Sequence, residues 1–374
     1  MQNQLAARVE PLTRHALAPA ALYLAVRLIG LVVLAVLAAT HDRTLLEVLG
    51  SWDGDWYLTI AENGYARGEG NLVDAAGNFT PNTTLAFFPG YPMLVGLTGW
   101  ITATSLPYAG LLVSLIAGVV AAYGITRLAD NRRVGLILVG LFASTPMAVT
   151  LSMVYSEALF SACAAWALVG VMERRWWLAS LCCVGAGLVR PSAGVLILIV
   201  VIAVLLHGRT SKGLFAVLVC PLGLAGYLLF VADQTMSLFG WFTLQKAGWG
   251  TAFDGGLATG EFVGTVLTSD TSLMETANAL VILGAVVLCV VAVLHRTPWP
   301  LAAYGIGLVV MTAGSSGVTY SKMRLLVPAF TLLLPVAAGL AKRRTGTVLA
   351  VLAATALISG WFGGYALTAW RYAI

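Results

Sequence analysis

Residues 51–57, Ser-Trp-Asp-Gly-Asp-Trp-Tyr, set two carboxylates, Asp53 and Asp55, among three aromatic rings, Trp52, Trp56 and Tyr57. An acid beside aromatic walls suits a general base acting on a hydroxyl group of a sugar or lipid held against those walls. A plainer reading also fits: rings at headgroup depth, and Asp53 as a solvated acid at a helix start. Other polar residues stand alone in apolar surroundings. Glu157 lies in Tyr-Ser-Glu (155–157), Arg190 follows an apolar run and precedes Pro191, and Arg324 lies with Ser321 and Lys322 in Ser-Lys-Met-Arg. Isolated charge there is costly and marks a candidate for function. The alternatives are an Arg190–Glu157 ion pair or snorkelling for Arg190, and helix-end charge for residues 321–324. Arg27, inside the first apolar run, is expected to meet another helix or a lipid phosphate.

The chain that must position these residues is 59% hydrophobic and 10% charged over 374 residues, with a mean hydropathy of +0.90. Soluble domains carry about a quarter charged residues, so the composition points to an all-α polytopic membrane protein. Five cysteines lie in apolar runs at an odd count, as packing residues rather than a disulfide framework. Neither metal-ligand spacing, a phosphate loop nor a nucleophile triad stands out. A divalent metal stays open as a cofactor.

Apolar segments fall at about 17–40, 108–128, 134–150, 154–172, 176–189, 192–207, 214–232, 277–294, 300–314, 325–341 and 347–367, with a further stretch at 87–105. The first reads as an uncleaved anchor. The short links at 130–133, 173–175, 208–212, 295–296 and 342–344 are basic, and short basic loops belong in the cytoplasm. All five fall on that side if 87–105 is an interfacial or re-entrant helix rather than a crossing. About eleven transmembrane helices follow, N-terminus cytoplasmic, C-terminus outside. That threading puts 13 of 21 basic residues inside and 13 of 16 acids outside. The net charge of +5 is thus a topology signal and points to no nucleic-acid partner. The chain reads as one transmembrane domain, 1–374, in the plasma membrane, with outer loops at about 41–107 and 233–276 and its active site extracytoplasmic.

The run WDGDWYLTIAENGY (52–65) followed by FFPGYP (87–92) resembles the PIG-V-like mannosyltransferases, a family with many bacterial members. YSEALF (155–160), RPSAG (190–194), Gln245 with Trp249, and SKMRLLVPAF (321–330) resemble later motifs of that family in the same order. The late motif departs at Leu325, where an aromatic is usual, and at Met323, where proline is frequent. The resemblance implies a GT-C fold, with a catalytic Asp and a membrane-parallel helix in the first outer loop. It also implies an inverting transfer of a sugar, usually mannose, from a polyprenyl-phosphate donor.

On that basis Asp53 is the expected base, since it alone falls on the matched position, with Asp55 and Glu157 auxiliary. Arg190, Arg324, Ser321 and Lys322 are expected at the donor phosphate. Trp52, Trp56, Tyr57, Gln245 and Trp249 are expected around sugar or acceptor, with outer loop 41–107 catalytic and 233–276 binding. The acceptor is a lipid, glycan or protein hydroxyl. A transporter or flippase of lipid-linked sugars is the competing reading, and a non-catalytic membrane partner a third.

Overall fold

The computed structural model describes residues 16–65, 72–207 and 210–372. The fold is almost wholly helical. Among the described residues five helices are long and apolar enough to cross a membrane: Ala18–Ala39, Leu106–Arg127, Ser211–Thr235, Leu273–Leu294 and Thr345–Thr368. The third carries Pro221 at an irregular turn near its middle, where a missing N–H allows a kink. A bent pair, Thr319–Leu325 and Phe330–Ala341 at 66°, makes up to six, and four shorter apolar helices fill the bundle: Glu157–Met172, Trp176–Val189, Ala193–His207 and Trp299–Ala313.

Small residues set the closest approaches. Helices Ala18–Ala39 and Thr345–Thr368 pack together, and a Cβ at Gly360 would lie 3.1 Å from the Cα of Gly30. Lipid chains give apolar helices no hydrophobic reason to associate, so contact at this range, with its dispersion energy, needs glycine.

Two segments that read as continuous apolar runs are broken. The helix starting at Arg132 stops at Ala143, and 3₁₀ backbone resumes at Ala148–Ser152. Carbonyls freed there must find donors. Arg27 supplies one: its Nη1 donates to Ala143 O at 2.9 Å and its Nε to Ser152 Oγ at 2.9 Å. Ser359 donates to Thr145 O at 2.6 Å and Ser114 to Met153 O at 2.7 Å. Arg27 therefore meets neighbouring segments, one of the two partners expected for it, and its burial is explained by that break. The second interruption is the bent pair, where the chain leaves the helix between Leu325 and Phe330.

The loop that follows the first long helix carries its own helices. Asp53–Asn63 follows a short helix, Leu45–Gly50, and a 3₁₀ turn, Thr83–Ala86, leads into Gly90–Thr102. That last helix is about 20 Å long at 1.5 Å per residue, too short for a hydrocarbon core of about 30 Å. It leaves Met93, Leu97, Trp100 and Ile101 exposed, an apolar face suited to lying in the interface.

Candidate active site

Asp53 is the first residue of helix Asp53–Asn63. The residue before it, Trp52, has φ +62°, a left-handed conformation that costs a bulky side chain energy and persists only where surroundings enforce it. At 100° per residue, Tyr57 shares the face of Asp53, whereas Asp55 points to the far side. Asp53 and Tyr57 accordingly line a cavity of about 490 Å³, and Asp55 does not.

The cavity has a charged end and an apolar body. At the charged end Arg324 Nη2 lies 2.7 Å from Asp53 Oδ2, and Arg190 Nη1 lies 2.7 Å from Glu157 Oε1. Arg190 caps helix Trp176–Val189 in extended backbone just before Pro191, so its side chain leaves the helix axis and turns into the cavity. Arg324 sits in the short helix Lys322–Leu325, within the broken span. Its Nε and Nη1 are buried without a hydrogen-bond partner. Arg324 lines the cavity, and a guanidinium there suits an anion with several oxygens. Lys322 also lines the cavity; its Nζ donates to Thr259 Oγ1 and, at 2.7 Å, to Ser315 O. Ser321 lines it as well.

The body of the cavity is lined by Phe87, Phe88, Leu224, Leu228, Leu308 and Met311, among others. Phe87 and Phe88 follow the 3₁₀ turn Thr83–Ala86, and the carbonyls at its end are covered by protein rather than lipid. The Tyr227 hydroxyl lies within reach of Leu85 O at 2.9 Å and Phe87 O at 2.6 Å and shares its one proton between them, Tyr65 donates to Phe87 O at 2.6 Å, and Trp241 and Gln245 donate to Ala86 O at 3.2 and 3.0 Å. Irregular backbone survives near a bilayer only with such partners.

The expected site residues thus divide. Asp53, Tyr57, Arg190, Gln245, Trp249, Ser321, Lys322 and Arg324 share one cavity. Gln245 spends its amide N–H on Ala86 O, and Trp249 meets Phe87 edge-on at 5.5 Å. Trp56 lies behind that layer, stacked on Phe87 at 5.4 Å and edge-on to Trp249 at 6.4 Å. Trp52 lies outside the lining, on the exposed side of the helix start. Glu157 is buried behind Arg190 rather than open to the cavity, the ion-pair alternative weighed for Arg190.

The sequence reading did not foresee the Asp53–Arg324 pair, nor the place of Phe88 in the apolar wall. The four-residue spacing of Asp53 and Tyr57 was the available signal for a shared face. Nearby, the N–H groups of Ala258 and Gly256 hold the Asp254 carboxyl below its ordinary range. Among the described residues no three His, Cys, Asp or Glu side chains are grouped to hold a metal ion.

The chain is similar in structure to ArnT from Cupriavidus metallidurans bound to undecaprenyl phosphate, with a TM-score of 0.53 and 15% identity over 88% of this chain and 61% of that one. It is also similar to the oligosaccharyltransferase of Archaeoglobus fulgidus in complex with Zn and sulfate, with a TM-score of 0.50 and 15% identity over 90% of this chain and 53% of the other. The chain thus spans about three-fifths of the first and half of the second. At this identity the likeness establishes the fold, which is of the GT-C type. No protein-family model and no curated protein sequence matches the chain.

Proposed function

We propose that the chain is an integral-membrane inverting glycosyltransferase that moves a sugar from a polyprenyl-phosphate donor to an acceptor hydroxyl on the extracytoplasmic side. The observation that carries this reading is one cavity joining the Asp53 carboxylate, two arginines and an apolar body. A polyprenyl-phosphate sugar has matching parts: a phosphodiester for the cations, an isoprenoid chain for the apolar wall and a sugar for the space beside Asp53. The ArnT structure, bound to undecaprenyl phosphate, supports a ligand of this kind in the shared fold.

In this reading the acceptor oxygen attacks the anomeric carbon from the side opposite the phosphate. The bond from that carbon to the phosphate oxygen breaks, and polyprenyl phosphate leaves with the bonding pair. Asp53 takes the acceptor proton, with Oδ1 available while Arg324 orients Oδ2. No general acid is needed, because phosphate is already a good leaving group. Arg324 and Arg190, aided by Ser321 and Lys322, stabilise the charge that grows on it. Mannose as the sugar rests on the sequence resemblance alone.

The test is turnover by purified protein in detergent. Polyprenyl-phosphate mannose with extracted envelope glycolipids, glycans or proteins should give a transferred sugar and free polyprenyl phosphate. A protein that binds donor but only moves it across the bilayer of a vesicle, releasing no polyprenyl phosphate, would establish the flippase reading instead.

A further inference from the structure

Three consecutive residues behind the cavity each hold a different residue that lines it. Tyr155, Ser156 and Glu157 are at most 1% exposed, and none belongs to the lining. The Tyr155 hydroxyl accepts the backbone N–H of Asp53 at 3.2 Å, and its ring centroid lies 5.1 Å from the Arg324 guanidinium carbon. Ser156 Oγ shares a hydrogen bond with the Tyr57 hydroxyl at 2.9 Å. Glu157 meets Arg190.

The local backbone makes this possible. The 3₁₀ turn ends at Ser152, Val154 N donates to Leu49 O at 2.9 Å, and a new helix begins at Glu157. The bend between those elements aims neighbouring side chains at separate partners. The bond to Leu49 ties it to the short helix just ahead of Asp53.

We propose that Tyr155 is a positioning residue for the transfer reaction: its hydroxyl seats Asp53 and its ring seats Arg324, setting the distance from base to phosphate-binding cation. The inference rests on the glycosyltransferase reading above. The hydroxyl satisfies the first N–H of the Asp53 helix, a group that no intrahelical carbonyl can reach. The ring face offers the guanidinium an attraction that occupies none of its N–H groups. The two halves of Tyr155 thus act on different partners, and substitution separates them. Phenylalanine keeps the ring and loses the acceptor, while leucine loses both.

The experiment compares purified wild type, Tyr155→Phe and Tyr155→Leu. It measures kcat and donor KM with polyprenyl-phosphate mannose and Kd for undecaprenyl phosphate, per folded molecule by thermal melting. In Tyr155→Phe, kcat should fall about 2–10-fold while KM and Kd stay within about twofold, since one hydrogen bond to the base has gone. In Tyr155→Leu, Kd should also rise about 3–30-fold as the guanidinium loses its ring. Two folded variants with wild-type values would overturn the proposal. So would two variants that lose kcat and affinity alike, or that both fail to fold, because the residue would then serve the fold only. Wild-type protein that neither binds undecaprenyl phosphate nor turns over donor would instead overturn the glycosyltransferase reading, and this proposal with it.

Discussion

Arg324 holds Asp53 by a 2.7 Å contact between Nη2 and Oδ2, so the expected base and an expected phosphate ligand are paired with each other. The pairing makes opposite predictions for chemistry and binding at Asp53. Asp53→Asn removes the proton acceptor and should cut turnover about 10²–10⁴-fold. It also removes the anion that competes with a phosphate for Arg324, so undecaprenyl phosphate should bind at least as tightly as to wild type. Asp55→Asn, on the far face of the helix, should leave turnover within about threefold, as surface substitutions usually do. Turnover and Kd on the same preparations check both. Near-normal turnover in Asp53→Asn would remove Asp53 from the mechanism.

Arginine chemistry supplies the next prediction. Arg324 offers three nitrogens, one on Asp53 and two unpaired. A lysine offers one compact charge and no planar fork. Arg324→Lys should therefore retain either the Asp53 contact or the phosphate contact, not both, and raise donor KM by about tenfold. Arg324→Gln should do more damage than Arg324→Lys. Full activity in Arg324→Lys would show that one point charge suffices and that the fork has no part.

The Arg190–Glu157 pair is buried, with side-chain exposures of 13% and 1%. Removing one partner of such a pair leaves an uncompensated charge, at a cost of about 3–5 kcal/mol. Arg190→Gln should thus lower stability markedly. Arg190→Gln with Glu157→Gln should recover most of it, because two neutral amides can face each other. Donor affinity should remain lost in the double variant if Arg190 holds phosphate. Melting curves and undecaprenyl phosphate binding across the four proteins separate the two effects; a double variant that recovers affinity would restrict Arg190 to a structural role.

How legible this was in the sequence depended on the range of the interaction. Ala18–Ala39 and Leu106–Arg127 match apolar runs to within about two residues, the usual uncertainty of a helix end, because hydropathy is a local property. Asp53 stood out by its place among aromatic rings and its match to the family motif, and Arg190 and Arg324 by the cost of charge in apolar surroundings. The run 134–150 concealed its break, because a hydropathy window sees side chains and not where carbonyls lose their helical partners. That information resides in Arg27, Ser114 and Ser359, each distant along the chain. The Asp53–Arg324 pair escaped for the same reason: each residue was visible alone, and their meeting is a property of the folded bundle.

Topology can be checked with single cysteines at exposed positions. Ser105, Ser269 and Lys342 are all exposed. The distribution of basic links predicts that cysteines at 105 and 269 react with a membrane-impermeant maleimide from outside, and that one at 342 reacts only after permeabilisation. Ser105 is the informative position. It follows helix Gly90–Thr102, and labelling there only from the cytoplasm would mean that the 87–105 stretch crosses the bilayer.

Gly90 tests whether packing at the start of helix Gly90–Thr102 sets the cation in the cavity. A Cβ there would lie 2.8 Å from Leu188 O and 2.9 Å from Val189 Cγ2. A clash with backbone cannot be relieved by turning a side chain, so the end of helix Trp176–Val189 must move. Arg190 is the cap of that helix, and a shift of its backbone carries the guanidinium with it. Gly90→Ala should cost about 1–3 kcal/mol, as overpacking usually does, and should weaken undecaprenyl phosphate binding by about the same factor as it slows transfer. Gly226 is the control: it is helical, and a Cβ there meets nothing within 4 Å, so Gly226→Ala should be neutral or stabilise by up to about 1 kcal/mol. If Gly90→Ala destabilises the protein but leaves donor affinity at the Gly226→Ala level, the contact supports the fold without placing Arg190.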